Sequence, residues 1–141
     1  MSIDDLLSEG KKLNDEGKYE EAVTCYDKAI KIDPKHAEAW RGKGGSLAMI
    51  SAKKAMICFD RLIEVKPADA HAWLWKEILS RLLGRYEESI ACSDRLIELA
   101  PEMGRPWTNK GYALSKLERY EEAIACFDKA IEMKYEVADS W

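Results

Sequence analysis

Apolar residues recur at helical spacing in short stretches along the chain, and polar turns separate the stretches. Between Tyr120 and Met133, Ala123, Cys126, Phe127, Ala130 and Ile131 fall at i, i+3, i+4, i+7 and i+8 and form one stripe. Just before it, Trp107, Tyr112, Ala113, Leu114 and Leu117 also recur at helical spacing, and the polar pair Glu118-Arg119 lies between the two patterns. Tyr120-Glu121-Glu122 places acids in a first turn, where the positive end of the helix dipole favours them. Gly17 and Gly84 mark turns between paired helices, and Asp33-Pro34 and Lys66-Pro67 end second helices, since proline cannot continue them. No stretch alternates with the two-residue period of a strand. The pattern predicts an all-α chain of paired helices.

The pairs repeat. Trp40, Trp73, Trp107 and Trp141 are spaced by 33, 34 and 34 residues, and Cys25, Cys58, Cys92 and Cys126 by the same intervals. Pro34, Pro67 and Pro101 follow at 33 and 34. Three residue types sharing one period define four units, 3–36, 37–69, 70–103 and 104–137, in a single domain spanning 1–141.

A helix–turn–helix unit of this length resembles the tetratricopeptide repeat. The first unit carries Gly10, Gly17, Tyr19, Ala22, Tyr26, Ala29 and Pro34, and the second Trp40, Gly44, Leu47, Ala55, Phe59 and Pro67. The third carries Trp73, Gly84, Tyr86 and Pro101, and the fourth Trp107, Gly111, Leu114, Tyr120, Ala123, Phe127 and Ala130. The resemblance implies an α-solenoid of four repeats wound as a right-handed superhelix. The departures are specific. The second unit is one residue short at Ile50-Ser51-Ala52-Lys53, so a tighter or shifted turn is expected there. The third has Glu77 where a small residue is usual, with Ser89, Ser93 and Leu96 at core positions of its second helix, and the second has Leu62. Helix packing in these two units should be distorted. Residues 138–141 match the opening of a fifth unit, which favours a fragment of a longer protein over a terminus covered by a partner.

Composition narrows the function. The 141 residues are 47% apolar and 34% charged, which suits a folded domain. The net charge of −4 gives no overall basic footprint for nucleic acid. No apolar run reaches the roughly 18 residues of a membrane helix, and the acidic start Met1-Ser2-Ile3-Asp4-Asp5 is unlike a signal peptide. A cytoplasmic protein is expected. The four cysteines lie on the core stripe of the second helices, too far apart from unit to unit for disulfides or one zinc ion, and read as small buried hydrophobes. His36 and His71 stand alone near unit junctions as solvated or capping side chains. Gly42-Lys43-Gly44-Gly45-Ser46 lacks the upstream glycine and the strand of a phosphate loop. No nucleophile–base pair or ligand cluster occurs, so neither catalysis, cofactor nor metal is expected.

In tetratricopeptide proteins the first helices line a concave groove. The resemblance places Arg41 and Gly45 of the second unit there, Leu74, Trp75, Ile78 and Arg81 of the third, and Arg105, Asn109, Tyr112 and Lys116 of the fourth. The helix from Ala72 to Leu83 is apolar nearly all round, and such a patch marks an interaction site. Gly42 and Gly45 remove side chains beside it, leaving either a slot or a space that Trp75 fills. On the groove positions of units two to four, Arg41, Arg81, Arg105 and Lys116 oppose only Glu38, which suits an acidic peptide or a carboxylate. The two-carboxylate clamp of some family members does not fit in either register. The expected function is a non-catalytic scaffold holding a peptide of a protein partner in the groove. The alternative is self-assembly into a homo-oligomer through an uncapped C-terminal repeat. Net charges of −3, +2, −2 and 0 along the four units would favour such end-to-end association.

Overall fold

The computed structural model describes residues 1–139, with side chains described through Lys134. Eight helices follow one another: α1 (Ile3–Asp15), α2 (Tyr19–Ile32), α3 (Ala37–Ala48), α4 (Ala52–Val65), α5 (Ala70–Leu82), α6 (Tyr86–Leu99), α7 (Arg105–Lys116) and α8 (Tyr120–Asp139). No strand forms among the described residues. The chain divides into two compact units, Met1–Ala72 and Trp73–Trp141.

In the first unit α1 packs on α2, α2 on α3 and α3 on α4. Side chains terminate these helices as their sequences dictate. Ser2 and Asp5 form a reciprocal capping box at α1: the Asp5 N–H donates to Ser2 Oγ at 3.2 Å, and the Ser2 N–H to Asp5 Oδ2 at 3.3 Å. The Ala39 N–H donates to His36 Nδ1 at 3.4 Å, so His36 caps α3. The turn after α1 closes on Gly17, whose φ of 79° suits a residue without Cβ. The shortened second repeat closes differently. It has no glycine; the Ser51 N–H returns to the Leu47 carbonyl at 2.6 Å and Ser51 Oγ caps α4. This is the tighter turn the missing residue predicts.

Aromatic rings of the second helices pack on glycines of the first. Tyr26 lies against Gly10, where a Cβ would meet its ring at 2.8 Å, and Phe59 against Gly44 at the same distance. Tyr26 also covers Gly42 of α3, and a Cβ there would clash with the ring. Gly42 therefore opens no slot, nor does it need Trp75: Tyr26, from the second helix of the preceding repeat, fills that space. Gly45, by contrast, faces open space.

In the second unit α6 packs on α7 and α7 on α8. Ile90, Ala113, Leu114, Ala123 and Cys126 form its core, and Phe127 covers Gly111, where a Cβ would meet the ring at 2.7 Å. The α5–α6 turn uses Gly84 at φ 73°, whereas the α7–α8 turn places Glu118 at φ 62°, a conformation that costs a non-glycine residue about 1 kcal/mol. Helices α2, α4 and α6 stop before Pro34, Pro67 and Pro101; the fourth repeat has Tyr135 at the matching place, and α8 runs on to Asp139. Of residues 138–141, assigned above to a fifth repeat, Ala138 and Asp139 belong to α8, and Ser140 and Trp141 lie outside the described residues.

All four cysteines are free. Cys58, Cys92 and Cys126 are buried and Cys25 half-buried, as their place on the core stripe implies. Burial pushes the Cys58 thiol up to about 11, against the weaker opposing pull of Lys43.

Candidate functional site

Glu77 organises the most distinctive cluster of the molecule. It stands on α5 where the other repeats have Gly10, Gly44 and Gly111, and it has no exposed surface. Space exists because the aromatic partner is missing as well. Ser93 replaces Tyr26, Phe59 and Phe127, and Ser89 replaces Ala22, Ala55 and Ala123. A buried carboxylate is tolerable only when hydrogen bonds satisfy it. Three donors do so here. Arg81 Nε and Ser89 Oγ each donate to Glu77 Oε1 at 3.0 Å, and Asn109 Nδ2 to Oε2 at 3.1 Å. Asn109 occupies the place on α7 that Gly42 holds on α3. In the first two repeats a ring sits between two glycines; in the last two a carboxylate sits among a serine, an arginine and an asparagine.

Arg81 is thereby fixed near the surface. Its guanidinium carbon lies 5.8 Å from the centre of the Tyr112 ring, and Lys116 Nζ lies 5.4 Å from the same ring. The ring is 41% exposed. Arg105, a turn and more before Asn109 on α7, is exposed, and no ion pair engages it among the described residues. Leu74, Trp75 and Ile78 on α5 are half-buried. These eight of the ten expected groove residues belong to the second unit; Arg41 and Gly45 belong to the first.

Arg41 has a structural partner. Its Nη2 donates to Asp69 Oδ2 at 2.7 Å, tying α3 to the turn before α5. Burial opposes ionisation of Asp69, but the hydrogen bond and charge of Arg41, with the backbone N–H groups of His71 and Ala72, outweigh it and hold the carboxyl below its usual range. A depressed folded-state pKa stabilises above the unfolded value, near 4 for aspartate, and the contribution disappears as pH falls through the depressed one. Asp69→Asn should therefore destabilise the first unit by about 1–3 kcal/mol at pH 7. Urea unfolding checks this: the gap from wild type should shrink as the pH falls below about 4.

A second network was hidden in the sequence. Lys43 bridges Asp27 of the preceding repeat at 2.6 Å and lies over Trp40 at 5.6 Å; Lys110 does the same with Asp94 at 2.6 Å and Trp107 at 5.9 Å. Lys76 lies over Trp73 at 5.8 Å. The signal was the tryptophan–lysine pair three residues apart in three successive repeats, with an aspartate at matching spacing. These contacts tie repeats together rather than prepare a surface for a ligand. On α8, in the C-terminal repeat, Tyr120, Ile124 and Ile131 are exposed.

No group of three or more metal-ligating side chains gathers among the described residues. No helix among them is long and apolar enough to cross a membrane.

Comparison with known proteins agrees with this architecture. A TPR repeat profile matches residues 10–49, and tetratricopeptide repeat profiles match 78–103 and 105–134. No curated protein matches the chain. Among solved structures, a crystal structure of MamA superposes with a TM-score of 0.90 at 25% identity, covering 97% of this chain and 81% of that one. MamA 41-end from Desulfovibrio magneticus RS-1 gives 0.86 at 26% identity, covering 96% and 77%. The MamA MSR-1 C2 structure, at 18% identity and a TM-score of 0.87, shares the fold, covering 97% and 79%. The profile matches, two of them on repeats that glycine–aromatic contacts hold together and one on the repeat built around Glu77, show that the chain belongs to the tetratricopeptide repeat family of protein-interaction scaffolds.

Proposed function

We propose that the chain is a non-catalytic scaffold that holds an extended peptide segment of a partner protein against the first helices of its repeats, with the contact centred on α5 and α7. One observation carries this reading: Tyr112 is a large ring left 41% exposed, flanked by the cations of Arg81 and Lys116. Leu82, at the end of α5, is 70% exposed and adds apolar surface to the same unit. Aromatic and arginine side chains supply most of the energy at protein interfaces. Leu74, Trp75 and Ile78 would extend the apolar contact, and Asn109 would offer its carbonyl oxygen to a peptide N–H.

A peptide-display selection tests this. Peptides should be enriched on the wild type and lost on Tyr112→Ala and Trp75→Ala, with helical content unchanged in both variants. Enrichment indifferent to both substitutions would place the interaction elsewhere.

A further inference from the structure

We propose that the outward face of α7, completed by Arg81 of α5, is a track for an acidic segment of the partner, read through side-chain carboxylates; this rests on the scaffold function proposed above. Arg105, Asn109, Tyr112 and Lys116 fall at i, i+4, i+7 and i+11, which is one face of a helix. The order along the face is cation, amide, ring, cation. At 1.5 Å per residue the two cations stand about 16 Å apart along the axis. An extended peptide covers that length with about five residues.

Charge selects the ligand. Helix α7 contains no acidic residue, and Glu77 is the only acid of α5. Glu77 is buried and its oxygens already receive three donors, so it offers a ligand no acceptor. It neutralises Arg81 while holding Nε, and so fixes the side chain over Tyr112. Arg105 and Lys116 have no ion-pair partner among the described residues, and both are exposed. Two uncompensated cations flanking a ring match a segment with carboxylates at both ends and an aromatic or apolar residue between them. A span this long exceeds what a single terminal carboxylate can bridge, which favours side chains as the source. The chain's net charge of −4 makes this face a local exception and disfavours a polyanion such as nucleic acid.

Fluorescence anisotropy tests the track with three short peptides, acetylated and amidated at their ends. Each has a central tyrosine flanked by glutamates, glutamines or lysines. The glutamate peptide should bind the wild type at least about tenfold more tightly than the glutamine peptide, and weaken as salt rises. The double variant Arg105→Glu/Lys116→Glu should lose that preference and favour the lysine peptide, a reversal that loss of folding cannot produce. Equal binding of glutamine and glutamate peptides would overturn the acidic track; if that binding still depended on Tyr112, the scaffold function would stand. No binding of the glutamate peptide, or binding only when its C terminus is left free, overturns the track. Tighter binding of a single-stranded oligonucleotide than of the glutamate peptide overturns it in favour of nucleic acid.

Discussion

Replacing Phe59 by alanine is expected to destabilise the first unit by about 3–5 kcal/mol, the usual cost of deleting a fully buried ring. Phe59 has no exposed surface. Its ring lies on the backbone of α3 at Gly44, so one wall of the resulting cavity is main chain, which cannot collapse into the gap. Phe59 is the largest of the unit's fully buried side chains, which otherwise include Leu62 and Cys58. Against a total stability of about 5–15 kcal/mol for an ordinary domain, the loss is a large fraction. Denaturant unfolding followed by circular dichroism reads it directly. A loss below about 1 kcal/mol would mean that the ring is not the keystone of the α3–α4 pair.

Gly42→Ala should reverse the usual sign of a glycine-to-alanine change in a helix. In an open helix interior the substitution stabilises by about 1 kcal/mol. At Gly42 the added methyl would clash with the Tyr26 ring, and overpacking of a closed site costs about 1–3 kcal/mol. Gly45, one turn on and facing open space, is the internal control, and Gly45→Ala should stabilise by about 1 kcal/mol. The cause can be isolated. In a Tyr26→Ala background the clash partner is gone, and Gly42→Ala should become stabilising. If Gly42→Ala stabilises the wild type, Tyr26 is not held between α1 and α3.

The helices, their pairing and their stops were legible because they depend on local signals. Apolar spacing, acids in first turns and the three prolines act within a few residues of where they are read. The short turn at Ser51 was legible for the same reason: one missing residue forces a local solution. The contacts that decide the site were not local. That Tyr26 serves two helices, and so explains Gly42, depends on the lateral packing of α2 between α1 and α3. Arg41 reads as a groove cation until Asp69, 28 residues away, is seen to hold it. The Glu77 cluster left a trace that could have been used. Glu77, Ser89 and Ser93 depart from the repeat pattern together, and a large polar side chain replacing a glycine makes sense only if the ring facing it has gone. Read one at a time, the same residues suggested distorted packing. Read as a set, they describe a satisfied buried carboxylate.

A peptide is proposed to bind on α5 and α7 of the second unit. Titration calorimetry with a display-selected peptide, on wild type and on Tyr112→Ala, tests it most directly. Tyr112 is exposed, and its removal leaves the Glu77 network intact. Saturable binding to the wild type is expected, with at least about a tenfold loss in the variant, the effect of truncating an interface anchor. Equal affinity for the two proteins would contradict it and move the interaction to another surface of the chain.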